Sequence, residues 1–227
     1  MPLQLAVMKF LRENGLTLVL LGLFLFSVVG QAITGRLEYN SERSTHGEGS
    51  VDLGEYLSTG HFQEALFENW ESEFLQMAAF VLLTIFLRQK GSSESKKLQG
   101  QNPMDEDPRK ARNKRSAPWP VRKGGWILRL YENSLSLALG GLFLLSFLMH
   151  AHGGAREQVE TALQHGEEPV GSVLEYIGTS RFWFESFQNW QSEFLSVAVL
   201  VVFSIYLRQR GSSQSKPVAA PHGETGE

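Results

Sequence analysis

Residues 16–32 read LTLVLLGLFLFSVVGQA and contain no charged side chain. A second stretch of the same length and character, LSLALGGLFLLSFLMHA, occupies residues 135–151. Each has about 17 residues, the lower limit for a helix that crosses a hydrocarbon core of roughly 30 Å. Both are therefore predicted to span a membrane. The second lies deep inside the chain, which argues against reading the first as a secretory signal.

Two further apolar runs, residues 74–87 and 194–207, are shorter. Fourteen helical residues rise about 21 Å, which is less than the hydrocarbon thickness. Each helix must therefore draw in the preceding turn, whose tryptophan, Trp70 or Trp190, is typical of the membrane interface. The alternative, buried core helices of a soluble domain, is disfavoured because it requires a larger bundle than this chain supplies.

The basic residues are distributed unequally around these segments. Of the 21 lysines and arginines, 17 lie in residues 1–15, 88–130 and 208–227, which are predicted to share one side of the membrane. The two loops on the opposite side hold the other four. Lysine and arginine accumulate on the cytoplasmic side of membrane proteins. We therefore predict a multi-pass membrane protein with both termini in the cytoplasm.

The second half of the chain repeats the first. Residues 55–96 align without gaps to residues 175–216, with 22 identities in 42 positions, and residues 11–35 align to 130–154, with 13 in 25. Each unit enters the membrane from the cytoplasm and returns to it, so the repeats are parallel. The predicted fold is all-α and integral to the membrane, with four transmembrane helices as two tandem parallel hairpin repeats.

The predicted domains are a membrane hairpin at residues 1–90, a basic linker at 91–125, a second hairpin at 126–211 and a tail at 212–227. The linker and tail are rich in polar residues and have no apolar periodicity, so both are expected to be disordered. The cluster RKARNKR at 109–115 either attracts anionic lipid headgroups or only orients the chain.

Both copies keep an Asn-Trp-x-Ser-Glu sequence just before the shorter apolar run. The candidate functional or interface residues are therefore Asn69, Trp70, Glu73, Asn189, Trp190 and Glu193. One interpretation is that Glu73 and Glu193 form a carboxylate pair that holds a cation or a proton. The alternative is that Asn69 and Glu73 bond to the neighbouring hairpin and only hold the interface.

Composition argues against several function classes. The chain has no cysteine, its six histidines are scattered, and it contains no catalytic or nucleotide-binding motif. His150 and His152 are two residues apart, so on a helix they do not face each other, and the first copy has Gln31 and Ile33 there. No enzyme activity, cofactor, metal site or nucleic-acid partner is predicted.

The stretches FLRENGLTLVLLGLFL at 10–25 and EYLSTGHFQEALFENWESEFLQMAAFVLLTIFLRQKGSSESK at 55–96, with their second copies, carry a resemblance. They resemble a family of uncharacterised bacterial membrane proteins, a domain of unknown function with a duplicated two-helix hairpin. The resemblance implies bacterial membrane localisation and the repeat, but no activity, ligand or site residue.

The predicted function is that of a non-enzymatic structural or accessory membrane protein. Its predicted partners are the lipid bilayer and either further copies of itself or another membrane protein. The alternative is an oligomeric ion or proton conduit that uses Glu73 and Glu193.

Overall fold

The computed structural model describes residues 3–166, 168 and 172–226. Residues 1–2 of the predicted first repeat and part of the second outer loop lie outside the described residues. All regular structure among the described residues is helical, with no strand, which confirms the all-α prediction. Contacts group the chain into two units, Met1–Ala65 with His152–Tyr176 and Leu66–Ala151 with Ile177–Glu227.

The described residues form eight α-helices and two 3-10 turns. In chain order the helices are α1 (Leu3–Thr45), α2 (Leu53–Leu57), α3 (Gly60–Phe86), α4 (Trp119–Lys123), α5 (Gly125–Glu132), α6 (Ser134–His165), α7 (Val173–Ile177) and α8 (Ser180–Tyr206). The 3-10 turns Pro103–Asp105 and Pro108–Ala111 lie between α3 and α4.

Helices α1 and α6 are long and apolar enough to cross a membrane, with candidate spans at Gln4–Thr45 and Ser134–His165. Only 6% of the most apolar window of α1 is buried within the protein. Large side chains such as Leu16 and Phe26 therefore remain exposed. So large an apolar surface suits contact with lipid or protein rather than with water.

Helices α3 and α8 begin before their apolar runs. Their bounds are offset by 120 residues at both ends. Thr59 precedes α3 and accepts a hydrogen bond from the N–H of Phe62, and Thr179 precedes α8 and accepts one from the N–H of Phe182. Each threonine satisfies a donor that a helix start leaves unpaired. Each helix has 27 residues, about 40 Å of rise, so the Asn-Trp-x-Ser-Glu sequences lie inside continuous helices.

In the first unit, α1 and α6 each present a glycine to a tyrosine of the short helix that follows. A methyl group added at Gly35 would overlap the hydroxyl of Tyr56, and one added at Gly154 would overlap the hydroxyl of Tyr176. Both tyrosines are fully buried. The two glycines occupy equivalent positions of the aligned copies, and so do the two tyrosines.

The first unit also contains a close crossing of α3 and α6 at Gly60 and Gly153. A Cβ atom on Gly60 would lie 2.8 Å from the carbonyl oxygen of Gly153. A Cβ atom on Gly153 would lie 2.9 Å from the carbonyl carbon of Gln63. Small residues at a crossing let two helix backbones approach closely, and here the neighbouring atoms are backbone, which cannot move aside.

The chain forms the same turn after α3 and after α8. Arg88 and Arg208 each donate hydrogen bonds from Nη1 to three carbonyls at the end of their own helix. After each arginine, a serine hydroxyl accepts a backbone N–H: Ser95 accepts that of Gln89, and Ser215 accepts that of Gln209. These bonds satisfy helix carbonyls that would otherwise lack a partner. The domain boundaries and the disorder of the tail stay predictions. The linker, which the sequence predicts to be disordered, contains the two 3-10 turns and α4 in the structure.

Candidate functional site

The second unit buries a histidine near the end of the apolar run in α6. His150 lies in α6, one residue before the end of the apolar run 135–151, and its side chain is inaccessible to solvent. A buried imidazole needs partners for both ring nitrogens, because an unpaired buried polar atom costs free energy. The partners of His150 come from α3 and α8.

Glu71 of α3 is the first partner. Its Oε2 atom lies 2.7 Å from Nδ1 of His150, and both side chains are fully buried. The indole Nε1–H of Trp190, on α8, donates to Oε1 of the same carboxylate at 3.0 Å. Glu71 therefore joins three helices, and each of its oxygens has a partner.

Glu185 of α8 lies on the other side of the ring. Its Oε2 atom is 3.5 Å from Nε2 of His150, and its Oε1 atom accepts a hydrogen bond of 2.7 Å from Nε of Arg181. The Arg181 side chain is 42% exposed and that of Glu185 17%, so the polar chain runs from the surface inward to His150. The 3.5 Å contact between Nε2 and Glu185 is an ion-pair distance and not a hydrogen bond.

Aromatic rings enclose the imidazole. The ring of Phe182 stacks on that of His150, with centroids 4.8 Å apart and planes 29° apart. Phe147 meets Phe182 edge-on, with centroids 5.2 Å apart. These apolar rings keep water away from the imidazole, which strengthens each electrostatic contact around it.

The arrangement allows two kinds of chemistry. The imidazole of His150 and the carboxylate of Glu71 can share a proton across their 2.7 Å contact. His150 Nε2 and Glu185 Oε2 are both ligand atoms that a cation could use. The same contacts also fix the relative positions of three helices.

A second polar cluster lies in the first unit. The hydroxyl of Tyr56, in α2, lies 3.0 Å from Nδ1 of His61. Burial raises the pKa of Tyr56 to about 12, and the negative charges of Glu38 and Glu157 add to the rise. The phenol therefore stays neutral at any ordinary pH and serves as a packing group with one polar contact.

The residues that the sequence singled out lie in different surroundings. Trp190 belongs to the buried site. Glu73 is exposed, whereas Glu193 is half-buried, and their charges interact. The other three residues lie on α3 and α8. Trp70 meets Phe67 edge-on, and Asn69 is exposed. The side-chain amide of Asn189 donates a hydrogen bond to the carbonyl of Glu185.

The sequence did not single out Glu71 or Glu185, and His150 was considered there only as a metal ligand paired with His152 and was rejected. The counterparts of Glu71, Glu185 and His150 in the other copy are Gln191, Ala65 and Gln31. A search for residues that both copies keep therefore discards all three. The available signal was His150 inside the run 135–151 and Glu71 three residues before the run 74–87, because an ionisable side chain there is expensive without a partner. Glu185 lies nine residues before the run 194–207 and carried no such signal.

The comparisons with known proteins identify a family. A model of the family described as "Domain of unknown function (DUF6766)" matches residues 7–227. The chain belongs to this family. The description of the family assigns it no function, in agreement with the resemblance seen in the sequence. No curated protein and no solved structure matches the chain.

Proposed function

We propose that the chain is a multi-pass protein of the bacterial inner membrane, with four transmembrane helices as two tandem parallel hairpin repeats and both termini in the cytoplasm. The unequal distribution of basic residues supports the orientation. Helices α3 and α8 have equal lengths, and their bounds are offset by 120 residues at both ends, which supports the repeat. So do the two equivalent glycine–tyrosine contacts.

The function that the geometry supports best is that of a non-enzymatic accessory membrane protein. One observation carries this proposal: Glu71 is fully buried, and its two oxygens are held by His150 of α6 and Trp190 of α8. These polar atoms face one another, as in a site that fixes helices rather than one that admits a substrate. In this view the chain needs no cofactor and binds no nucleic acid.

The exposed apolar surface of α1 supplies the contact with the bilayer and with a partner, either a second copy or another membrane protein. A photo-crosslinking amino acid placed at successive positions of residues 16–32 in living cells tests this. We expect an adduct of one defined mass at positions three or four residues apart, which lie on one helical face. Lipid adducts alone at every position would contradict the accessory role.

A proton or ion conduit is the second candidate, favoured by the interaction between the charges of Glu73 and Glu193. Like charges persist near a membrane only where water or a cation compensates them. The test is flux into liposomes that contain the purified chain. The double variant Glu73→Gln with Glu193→Gln should abolish flux.

The matched control for the conduit replaces Glu13 and Glu132, another glutamate pair at equivalent positions of the two copies. This control should conduct as the unmodified chain does. Absence of flux from the unmodified chain under a proton gradient and under a cation gradient would eliminate the conduit.

A further inference from the structure

Residues 108–131 form a strongly basic segment, named here the basic segment. It comprises the 3-10 turn Pro108–Ala111, helix α4 and residues 125–131 of α5. Residues 108–131 contain no aspartate or glutamate, and Glu132 ends α5 just outside them. Its basic residues are all exposed: Arg109, Lys110, Arg112, Lys114, Arg115, Arg122, Lys123 and Arg129. Within the described part of the chain, Arg109 alone among them takes part in an ion pair, with Asp107 at 3.3 Å. The protein leaves the charge of the basic segment largely uncompensated.

These charges lie on a folded surface. Helix α4 contacts both α5 and the 3-10 turn. Val121 of α4 and Leu128 of α5 are buried, and Nε of Arg112 donates to the carbonyl of Arg122 at 3.4 Å. A ligand that binds a surface already folded pays less for ordering the chain.

The basic segment also exposes large aromatic rings beside the membrane. Trp119 and Trp126 are 58% and 70% exposed. Tryptophan concentrates at the level of lipid headgroups, where its ring contacts acyl chains and its N–H remains hydrated. Helix α5 ends at Glu132 and α6 begins at Ser134, so the basic segment ends two residues before a candidate membrane span.

We propose that the basic segment binds the headgroups of anionic phospholipids on the cytoplasmic surface of the membrane. Its lysines and arginines pair with lipid phosphates, and its two exposed tryptophans enter the headgroup layer. Nucleic acids also carry phosphates, but the short tether holds the basic segment beside the bilayer, where headgroups have a high effective concentration. The inference rests on the proposed span of α6.

The absence of native cysteine allows a clean test in the full chain. The variant Asn113→Cys carries a spin label in the centre of the basic cluster. The chain is placed in nanodiscs of phosphatidylcholine alone or of phosphatidylcholine mixed with phosphatidylglycerol. With phosphatidylglycerol we expect slower label motion and less collision with a water-soluble nickel reagent, and salt should reverse both effects.

Charge removal tests the cause. Each basic residue near an anionic surface contributes about fivefold to binding, so removing three should weaken it on the order of a hundredfold. The variant replaces three residues by glutamine: Arg112, Lys114 and Arg115. The matched control replaces three exposed basic residues outside the basic segment by glutamine and should keep the full response: Lys90, Lys97 and Arg210.

A second label position, Leu144→Cys in α6, separates the possible failures. If that label is buried in the bilayer but the Asn113→Cys label behaves alike in both nanodiscs, lipid binding is overturned and the proposed function stands. If the Leu144→Cys label remains in water, both are overturned. A label at position 113 that responds to added RNA or to an acidic polypeptide, and not to phosphatidylglycerol, would also overturn the proposal.

Discussion

The imidazole of His150 and the carboxylate of Glu71 lie 2.7 Å apart, and neither side chain is accessible to solvent. The two residues are on different helices, 79 positions apart in the chain. Such a contact is strong only while both partners are present, because a lone buried charge or imidazole has nothing to compensate its lost hydration. This dependence leads to the first prediction.

Replacing Glu71 by alanine should lower the free energy of unfolding by about 3–5 kcal/mol, the usual cost of removing one partner of a buried ionic pair. The exposed Glu73, two positions along the same helix, supplies the control, and Glu73→Ala should change stability by less than about 1 kcal/mol. Denaturant unfolding in mild detergent measures both. Equal effects would show that the buried contact does not stabilise the fold.

The crossing at Gly153 predicts a contrast between two glycines of α6. A methyl group at Gly153 would overlap the backbone of α3, whereas nothing lies within 4 Å of one at Gly140. Gly153→Ala should therefore destabilise the protein by about 1–3 kcal/mol. Gly140→Ala should be neutral or stabilise it by up to about 1 kcal/mol, because alanine favours helix. Thermal unfolding of the two variants, compared in one detergent, decides the matter.

Tyr56 predicts a loss of stability in alkali. Its pKa rises from 10.0 to about 12 in the folded protein, mainly through burial. Between these values the unfolded phenol loses its proton and the folded one keeps it, so stability falls as the pH rises from about 10 to about 12. Tyr56→Phe should reduce this loss and remove part of the late tyrosinate absorbance.

The control for that titration is Tyr131→Phe, which removes a tyrosine that is 46% exposed. It should leave the alkaline loss of stability as it is in the unmodified chain. If Tyr56→Phe and the unmodified chain lose stability alike, burial of this phenol is not the cause.

The predicted orientation can be checked with single cysteines, since the chain has none of its own. Ser50 and Gln101 are exposed and lie on opposite sides of the membrane in the predicted topology. A membrane-impermeant maleimide should label Ser50→Cys in intact cells and label Gln101→Cys only after lysis. Labelling of position 101 from outside would reverse the assignment.

Much of the local structure follows from the sequence. Thr59 and Thr179 precede helices because their hydroxyls accept the first free N–H groups, and this depends only on residues close in the chain. The apolar runs likewise predict α1 and α6, because length and charge alone decide whether a helix suits a membrane.

The site was less predictable, because it depends on which side chains meet across helices. Comparison of the two copies selected Glu73 and Glu193, which both copies keep, and passed over Glu71 and His150, which only one copy has. A local sequence pattern predicts the helix in which a residue lies. The partner of a buried glutamate depends instead on how the helices pack against one another. Trp190 was found because it satisfies both criteria: it is kept in both copies, and it donates to Glu71.

The bonds of Glu71 have a consequence for the two halves of the chain. Glu71 comes from the first half, while His150 and Trp190 both come from the second. A first half meeting its own twin would place Gln31 where His150 stands, so its glutamate would face an amide instead of an imidazole. Two fragments produced separately should therefore recognise each other in preference to themselves, like the non-identical subunits of an obligate heterodimer.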